Sequence, residues 1–413
     1  MLKRFVINNY RSCLHTSFDL HPNLSVLIGP NGSGKTNTLQ AIMFLNRMTE
    51  QERFSRLAKK TPASTRVKAT FGYRETQAEL SATAATSSLD PSSEVIFNWQ
   101  KWKLTNAKDQ KSTFEAPLAL VGEILSREMM LNRFYHVSSS HFRISRLHIE
   151  RQIPSWAGST LSKVFEYCKG IKYYSASQFT NPGNCPVSFQ IEEEEGTRRR
   201  YGLSRFRGHE RVLYSMYSAQ KSDSSGKYEQ FIDIVGPRGL KLIDDLKFKE
   251  YRTSSIDYSV RVGGKLERRK RNRLIVIPQF KIGKQRLSPN QLSEGTFKTL
   301  ALLFHVITDE GSALLIEEPE VCVHHGLLSS ILELVKSFSD KKQMILTTHS
   351  DFVLDHVKPE NVYRVTFEPH SGTAVRHISK AMTAKEYSAL REYLAQAGNL
   401  GEYWREGGLG DRP

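Results

Sequence analysis

The first apolar positions come in short alternating pieces. Phe5-Val6-Ile7 reads as a strand, Asn8-Asn9 as a turn, and residues 17–20 as a second strand. Leu24–Ile28 is a compact apolar run and predicts a buried strand. It leads directly into Gly29-Pro30-Asn31-Gly32-Ser33-Gly34-Lys35-Thr36, after which Leu39, Ile42, Met43 and Phe44 recur at helical spacing. Further on, residues 67–73 and 95–102 read as strands, separated by a polar, small-residue stretch over 82–93. Residues 117–133 and 159–169 read as helices, the second ended by Gly170. From Glu192 to Arg273 dense charge replaces the apolar pattern. Strand–helix alternation then returns. Residues 274–277, 313–316, 344–348 and 361–366 read as strands, and residues 292–307 and 327–338 as helices. This alternation predicts an α/β fold with a mostly parallel sheet, preceded by an antiparallel N-terminal part. No repeat or sustained heptad argues for a long coiled coil.

Composition changes this picture little. Of 413 residues, 25% are charged and 39% are hydrophobic, which suits a folded globular chain. No apolar run approaches the ~20 residues that cross a bilayer, and the start reads as a strand, so the expectation is a cytoplasmic protein with no membrane partner. Cys13, Cys168, Cys185 and Cys322 share no metal-ligand spacing, and buried thiols in a reducing compartment are expected. The net charge of +16 favours an anionic partner, which makes nucleic acid a further candidate partner.

The segment Gly29-x-x-x-x-Gly34-Lys35-Thr36 carries the most specific chemistry. It fits the phosphate-loop pattern between a strand and a helix. Its glycines let successive N–H groups turn inward around phosphates, and the following helix aims its positive end at the same charge. Lys35 would reach the terminal phosphates of ATP and the Thr36 hydroxyl would bind Mg²⁺. The candidate nucleotide set runs over Asn31, Gly32, Ser33, Gly34, Lys35, Thr36 and Asn37. Later, Leu314-Leu315-Ile316-Glu317-Glu318-Pro319 is an apolar strand ending in paired carboxylates. Glu317 would face the metal and Glu318 would serve as general base. Leu292-Ser293-Glu294-Gly295-Thr296 opens a helix, either as an anion site or as a plain cap. Ile345 to Ser350 is a strand ending at His349, where ligands bind in α/β sheets.

In this order, the four motifs resemble the ABC-type ATPases, and among them the group of RecF, Rad50, SMC heads and the OLD family. The resemblance covers about residues 1–50 and 270–370 and rests on GPNGSGKT, LSEGT, LLIEEPE and TTHS. It implies that Ser293 and Gly295 of one copy complete the site held by the other copy's phosphate loop, so that ATP joins a homodimer of heads or a higher oligomer. It implies that His349 is the switch histidine near the γ-phosphate, joining Glu318 and Lys35 in catalysis, and that Arg11 in Asn9-Tyr10-Arg11-Ser12 is a nucleotide ligand. Glu317 stands where most such proteins carry aspartate, and Glu320 to His325 departs from the usual loop, so slow hydrolysis is expected. Gln178 is the candidate for the family's Q-loop glutamine.

Lys35 and Ser293 lie more than half the chain apart, which implies an insertion. The expected division is an N-terminal lobe over 1–60, an inserted α+β region over 61–270, a C-terminal lobe over 271–380 and a tail over 381–413. The charged clusters of the insertion (Glu192 to Glu195, Arg198 to Arg200, and Arg268 to Arg271 with Arg273) read either as phosphate contacts or as solvated loops. The tail's Tyr403 and Trp404 read either as an anchor for a partner or as packing on the tail's own domain. The tail resembles those of ATPase subunits of bacterial phage-defence systems such as PARIS, which implies a nuclease or toxin partner.

Overall fold

A computed structural model describes residues 1–50, 64–86, 95–97, 100–125, 151–193, 206, 208–260, 266–321, 323–396 and 398–409. The chain divides into two compact units. One comprises residues 1–174, 310–318 and 332–413, and the other residues 175–309 and 319–331.

The first unit holds two sheets. In one, the order is Gly372–His377, Val362–Glu368, Leu24–Ile28, Gln343–Thr348, Ala313–Glu317 and Ile171–Ser175. Leu24–Ile28 pairs in parallel with both of its neighbours, and so does Gln343–Thr348. Every residue of Leu24–Ile28, Ala313–Glu317 and Gln343–Thr348 is buried, which is why these strands read as unbroken apolar runs rather than as alternation. The other sheet is antiparallel: Cys13–Asp19, Leu2–Tyr10, Thr65–Tyr73, Thr76–Thr86, Lys101–Thr105 and Lys111–Glu115, with Val95–Phe97 also on Thr76–Thr86. Helix Lys35–Glu50 lies in the shared core, where Phe5, Leu27, Phe44, Trp102 and Leu315 belong to one buried cluster.

This architecture matches the α/β reading, with corrections. The boundary expected at residue 60 runs through the antiparallel sheet, because Leu2–Tyr10 pairs with Thr65–Tyr73. Residues 82–86, read as a separator, continue a strand whose Ala82 and Ala84 are buried, so packing overrides weak strand propensity. The strand read over 95–102 is two strands, Val95–Phe97 and Lys101–Thr105. The helix read over 117–133 spans Leu118–Leu125, and its remainder lies outside the described residues.

The second unit carries most of the charged span. That span holds helices Gly208–Ser222 and Lys227–Val235 and a long hairpin, Asp245–Val260 with Leu266–Ile282. Phe189–Glu193 and Gln285–Leu287 pair with the second hairpin strand. The strand read over 274–277 is the inner part of this 17-residue strand. Helix Glu294–Thr308 completes the unit.

The tail packs on the first unit. In helix Leu400–Arg405, Leu400 and Trp404 are buried, the Gly401 N–H donates to Asp355 Oδ1 (2.7 Å), and Arg405 pairs with Asp351 (3.0 Å). A Cβ at Gly401 would meet the Asp351 carbonyl at 2.2 Å, so glycine permits this close approach. Of the two readings of the tail, the geometry matches intramolecular packing for Trp404. Cys13, Cys168 and Cys185 are buried, and burial raises each thiol's pKa, for Cys185 to about 12, which leaves them unreactive. Cys322 lies outside the described residues. No described helix is long and apolar enough to cross a membrane.

Candidate nucleotide site

The phosphate loop leaves the buried Leu24–Ile28 strand and enters helix Lys35–Glu50. Gly34 has φ +99°, and a Cβ there would stand 2.0 Å from Thr373 Oγ1, so both backbone conformation and space require glycine. Lys35 is only 5% exposed, and its Nζ donates to the carbonyls of Gly29 (2.8 Å) and Pro30 (3.1 Å). The Ser33 hydroxyl is buried within the loop and has no hydrogen-bond partner among the described residues. Asn31 and Gly32 are exposed at the loop's crest. From the next turn, Asn37 Nδ2 donates to Ser12 Oγ (2.7 Å).

Three adjacent strands end at this loop's side of the sheet. Ile28 is in register with Thr348, and Thr347 with Glu317, so the loop, the carboxylates and His349 follow neighbouring strand ends. The Thr36 hydroxyl donates to Glu317 Oε1, and the Tyr173 hydroxyl donates to Glu317 Oε2. Glu318 has φ +45°, a left-handed conformation uncommon for a residue with a side chain. Its N–H donates to the Thr347 carbonyl (3.1 Å), and its Oε1 lies 3.5 Å from His349 Nδ1. Glu318 and His349 are partly exposed, at 31% and 41%.

In the second unit, Ser293 is the N-cap of helix Glu294–Thr308. Its Oγ accepts from the Thr296 N–H (3.2 Å), yet the residue is exposed. Gly295 is half-buried in the first turn. Glu294 pairs with the buried Lys298 (2.6 Å) and accepts from the Asn181 N–H (3.4 Å). The Ser293 cap is thus present, and its exposed hydroxyl leaves the anion-site reading open beside it.

Two family models match this chain. One is described as an AAA ATPase domain and covers residues 1–116. The other covers residues 215–355 and is described as "AAA domain, putative AbiEii toxin, Type IV TA system". Both matching segments are thus similar to AAA ATPase domains. RecF proteins, described as DNA replication and repair proteins, match this chain at 46% identity over 44 residues. The examples from Psychromonas ingrahamii and Actinobacillus pleuropneumoniae are matched over 11% of this chain and 12% of their own length. Two solved structures have a similar course. An SMC head bound to the C-winged helix domain of ScpA is 14% identical, covering 91% of this chain and 96% of that one, with a TM-score of 0.45. The SMC head domain from Thermotoga maritima is 12% identical, covering 91% and 97%, with a TM-score of 0.38.

The donor set at this loop fits a nucleotide with magnesium. A buried ammonium, a buried hydroxyl without a described partner and a glycine-lined turn suit phosphate oxygens. The Thr36 hydroxyl and Glu317 carboxylate are hard oxygen donors of the kind Mg²⁺ prefers. Lys35, Thr36, Glu317, Glu318 and His349 lie at one end of one sheet. Arg11 is tied to the first turns of the helix that follows the loop. It sits at φ +49° in the turn after Leu2–Tyr10, and its Nη1 donates to Asn37 Oδ1 (3.2 Å) and Gln40 Oε1 (2.6 Å). Gln178 is exposed in the short turn Ala176–Phe179 of the second unit.

Two residues of the site escaped the sequence. Tyr173 reaches Glu317 across 144 positions of chain. Thr373 is 1% exposed, lies 2.8 Å from Ser12 Oγ and donates to the Ser33 carbonyl (3.0 Å), which braces the loop from the edge strand. Neither carries a local motif. Only the strand order Gly372–His377, Val362–Glu368, Leu24–Ile28 brings Thr373 to the loop.

Proposed function

We propose that this chain hydrolyses ATP in a site completed by a second copy, and that the closed pair controls a nuclease or toxin partner in bacterial phage defence. Lys35 and the loop amides hold the phosphates, while Thr36 and Glu317 hold Mg²⁺. Bound magnesium supplies neutralisation of phosphate charge. Glu318 accepts a proton from the attacking water, and His349, beside it, orients that carboxylate and senses the terminal phosphate. Ser293 and Gly295 of the partner copy close over the same phosphate. A cytoplasmic setting suits this reading, since ATP is there.

The observation that carries the reading is the pairing of Glu318 with His349 at neighbouring strand ends beside the Thr36–Glu317 pair. A non-glycine residue held left-handed costs about 1–3 kcal/mol, and such strain concentrates at functional sites. Replacing Glu318 by Gln tests it. Steady-state hydrolysis should fall by about 10²-fold or more, the scale of a lost general base, while binding of a fluorescent ATP analogue stays within about threefold. Equal turnover in both proteins rejects Glu318 as the base.

The AAA model connected with AbiEii supports the defence setting. The RecF segment favours a second reading, a DNA-repair ATPase that binds DNA directly. The two separate on whether DNA or a co-purifying protein changes the hydrolysis rate.

A further inference from the structure

A glycine-lined turn holds phosphate through backbone N–H groups, so the direction in which each peptide faces decides whether it attracts or repels the anion. A peptide is planar and trans, and its carbonyl and N–H point to opposite sides. Fixing the Ser33 carbonyl therefore fixes the Gly34 N–H. Local backbone preference is weak at this peptide, because Gly34 sits at φ +99°, where glycine is permissive. The orientation must be set from outside the loop.

The hold comes from the edge strand Gly372–His377. The Thr373 hydroxyl donates to the Ser33 carbonyl (3.0 Å), and both residues are buried, at 1% and 2% exposure. Thr373 has a single hydroxyl proton, so its 2.8 Å contact with Ser12 Oγ uses the serine's proton. Ser12 Oγ accepts in turn from Asn37 Nδ2 (2.7 Å). The bonds thus run in one direction, from Asn37 through Ser12 and Thr373 to the Ser33 carbonyl, with no proton used twice. The Thr373 backbone is anchored separately. Its N–H donates to the Ser12 carbonyl (2.7 Å), and its carbonyl accepts from Thr16 Oγ1 (2.6 Å). Removing the hydroxyl leaves these two bonds in place but takes a donor from the buried Ser33 carbonyl, which is unfavourable. Turning the peptide over relieves this, and it then presents a carbonyl oxygen, in place of an N–H, to a bound phosphate.

We infer that Thr373 is a positioning residue for phosphate binding: through the Ser33 carbonyl it keeps the Gly34 N–H turned to the side where phosphate binds. This role deepens the proposed nucleotide site and depends on it.

The test uses the full chain and a fluorescent ATP analogue with Mg²⁺. Lys35→Ala reports on the site itself, and Thr373→Val and Thr373→Ser report on the hydroxyl. Thr373→Val should weaken analogue binding about tenfold, the scale of one hydrogen bond, and Thr373→Ser should bind within about threefold of the parent. In hydrolysis, the KM for ATP should rise about tenfold in Thr373→Val while turnover at saturation stays within about threefold, because the contact serves bound substrate and transition state alike. If valine prevents folding, shown by a lost melting transition, Thr373→Cys takes its place, since its thiol is only a weak donor. The idea is overturned if Lys35→Ala abolishes analogue binding while Thr373→Val keeps the parent's affinity and KM. It is also overturned if Thr373→Ser binds as weakly as Thr373→Val, which assigns the loss to packing. Analogue binding that survives Lys35→Ala unchanged rejects the nucleotide site, and the role of Thr373 with it.

Discussion

Glu317 offers two carboxylate oxygens, and a hydroxyl meets each: Thr36 on Oε1 and Tyr173 on Oε2. A metal that takes Thr36 as ligand needs that hydroxyl's lone pair and the facing carboxylate oxygen, which leaves Tyr173 as the bond that fixes the carboxylate's rotation. A hydrogen bond to a charged group is worth about 1.5–3 kcal/mol. Tyr173→Phe should therefore raise the Mg²⁺ concentration for half-maximal binding of a fluorescent ATP analogue by about tenfold, 1.4 kcal/mol per decade, with the melting midpoint nearly unchanged. An unaltered Mg²⁺ requirement removes the positioning role. At this scale the sequence reveals residues whose chemistry is local. The glycines, Lys35 and Thr36 share one turn, and Glu317 and Glu318 share one strand end. Tyr173 and Thr373 were hidden because their contacts are made by strand order, across 144 and 340 positions. Arg11 was legible as a functional residue only by resemblance, and its guanidinium is engaged by Asn37 and Gln40.

Elements were legible wherever burial leaves a clean period. Leu24–Ile28, Ala313–Glu317 and Gln343–Thr348 are buried along their whole length, and their apolar runs were visible. Helices Gly208–Ser222 and Lys227–Val235 were obscured, because each buries a narrow stripe (Val212, Leu213, Met216; Tyr228, Phe231, Val235) among many charges. The first of these helices also makes the second unit sensitive to acid. His209 is 8% exposed and packs its ring against Phe179 and against Phe297 of the helix that Ser293 caps, at 5.6 Å and 4.9 Å. Burial lowers its pKa below the ordinary 6.5, and this outweighs the Phe179 backbone hydrogen bond and the nearby Glu294 charge, which act in the opposite direction. The unfolded chain therefore binds the proton more readily than the folded one. Stability contributed by neutral His209 is present above pH 6.5 and is lost as pH falls through 6.5 towards the lowered folded value. His209→Phe keeps the ring packing and removes the titration. Its melting midpoint should fall less than the parent's between neutral pH and about pH 5.5, and parallel falls in both proteins would remove His209 as the acid-sensitive group.

At the scale of the whole molecule, the proposed pairing of copies turns on which copy's serine serves which copy's phosphate loop. Lys35 belongs to the first unit and Ser293 to the second, so the two motifs lie in separately packed parts of one chain. In a closed two-fold pair, a site built from both copies contains Lys35 of one and Ser293 of the other. Complementation distinguishes this from a site built within one chain. Lys35→Ala subunits and Ser293→Arg subunits should each fail to form ATP-dependent dimers when alone. Mixed, they assemble heterodimers in which one site carries both lesions and the other site carries neither. Because neither variant pairs with itself, the ATP-dependent dimer peak holds heterodimers, in which one site of two is intact, so nucleotide trapped per dimer should recover to roughly half of the parent's. Adding Glu318→Gln to both subunits prevents hydrolysis from emptying the intact site during the measurement. If each chain completed its own site, every subunit in the mixture would keep its own lesion, and trapping would stay at the level of the separate variants. Trapped nucleotide, measured by size exclusion with a labelled ATP analogue, therefore reads out the geometry of assembly even if a dimer with one intact site is too slow to turn over.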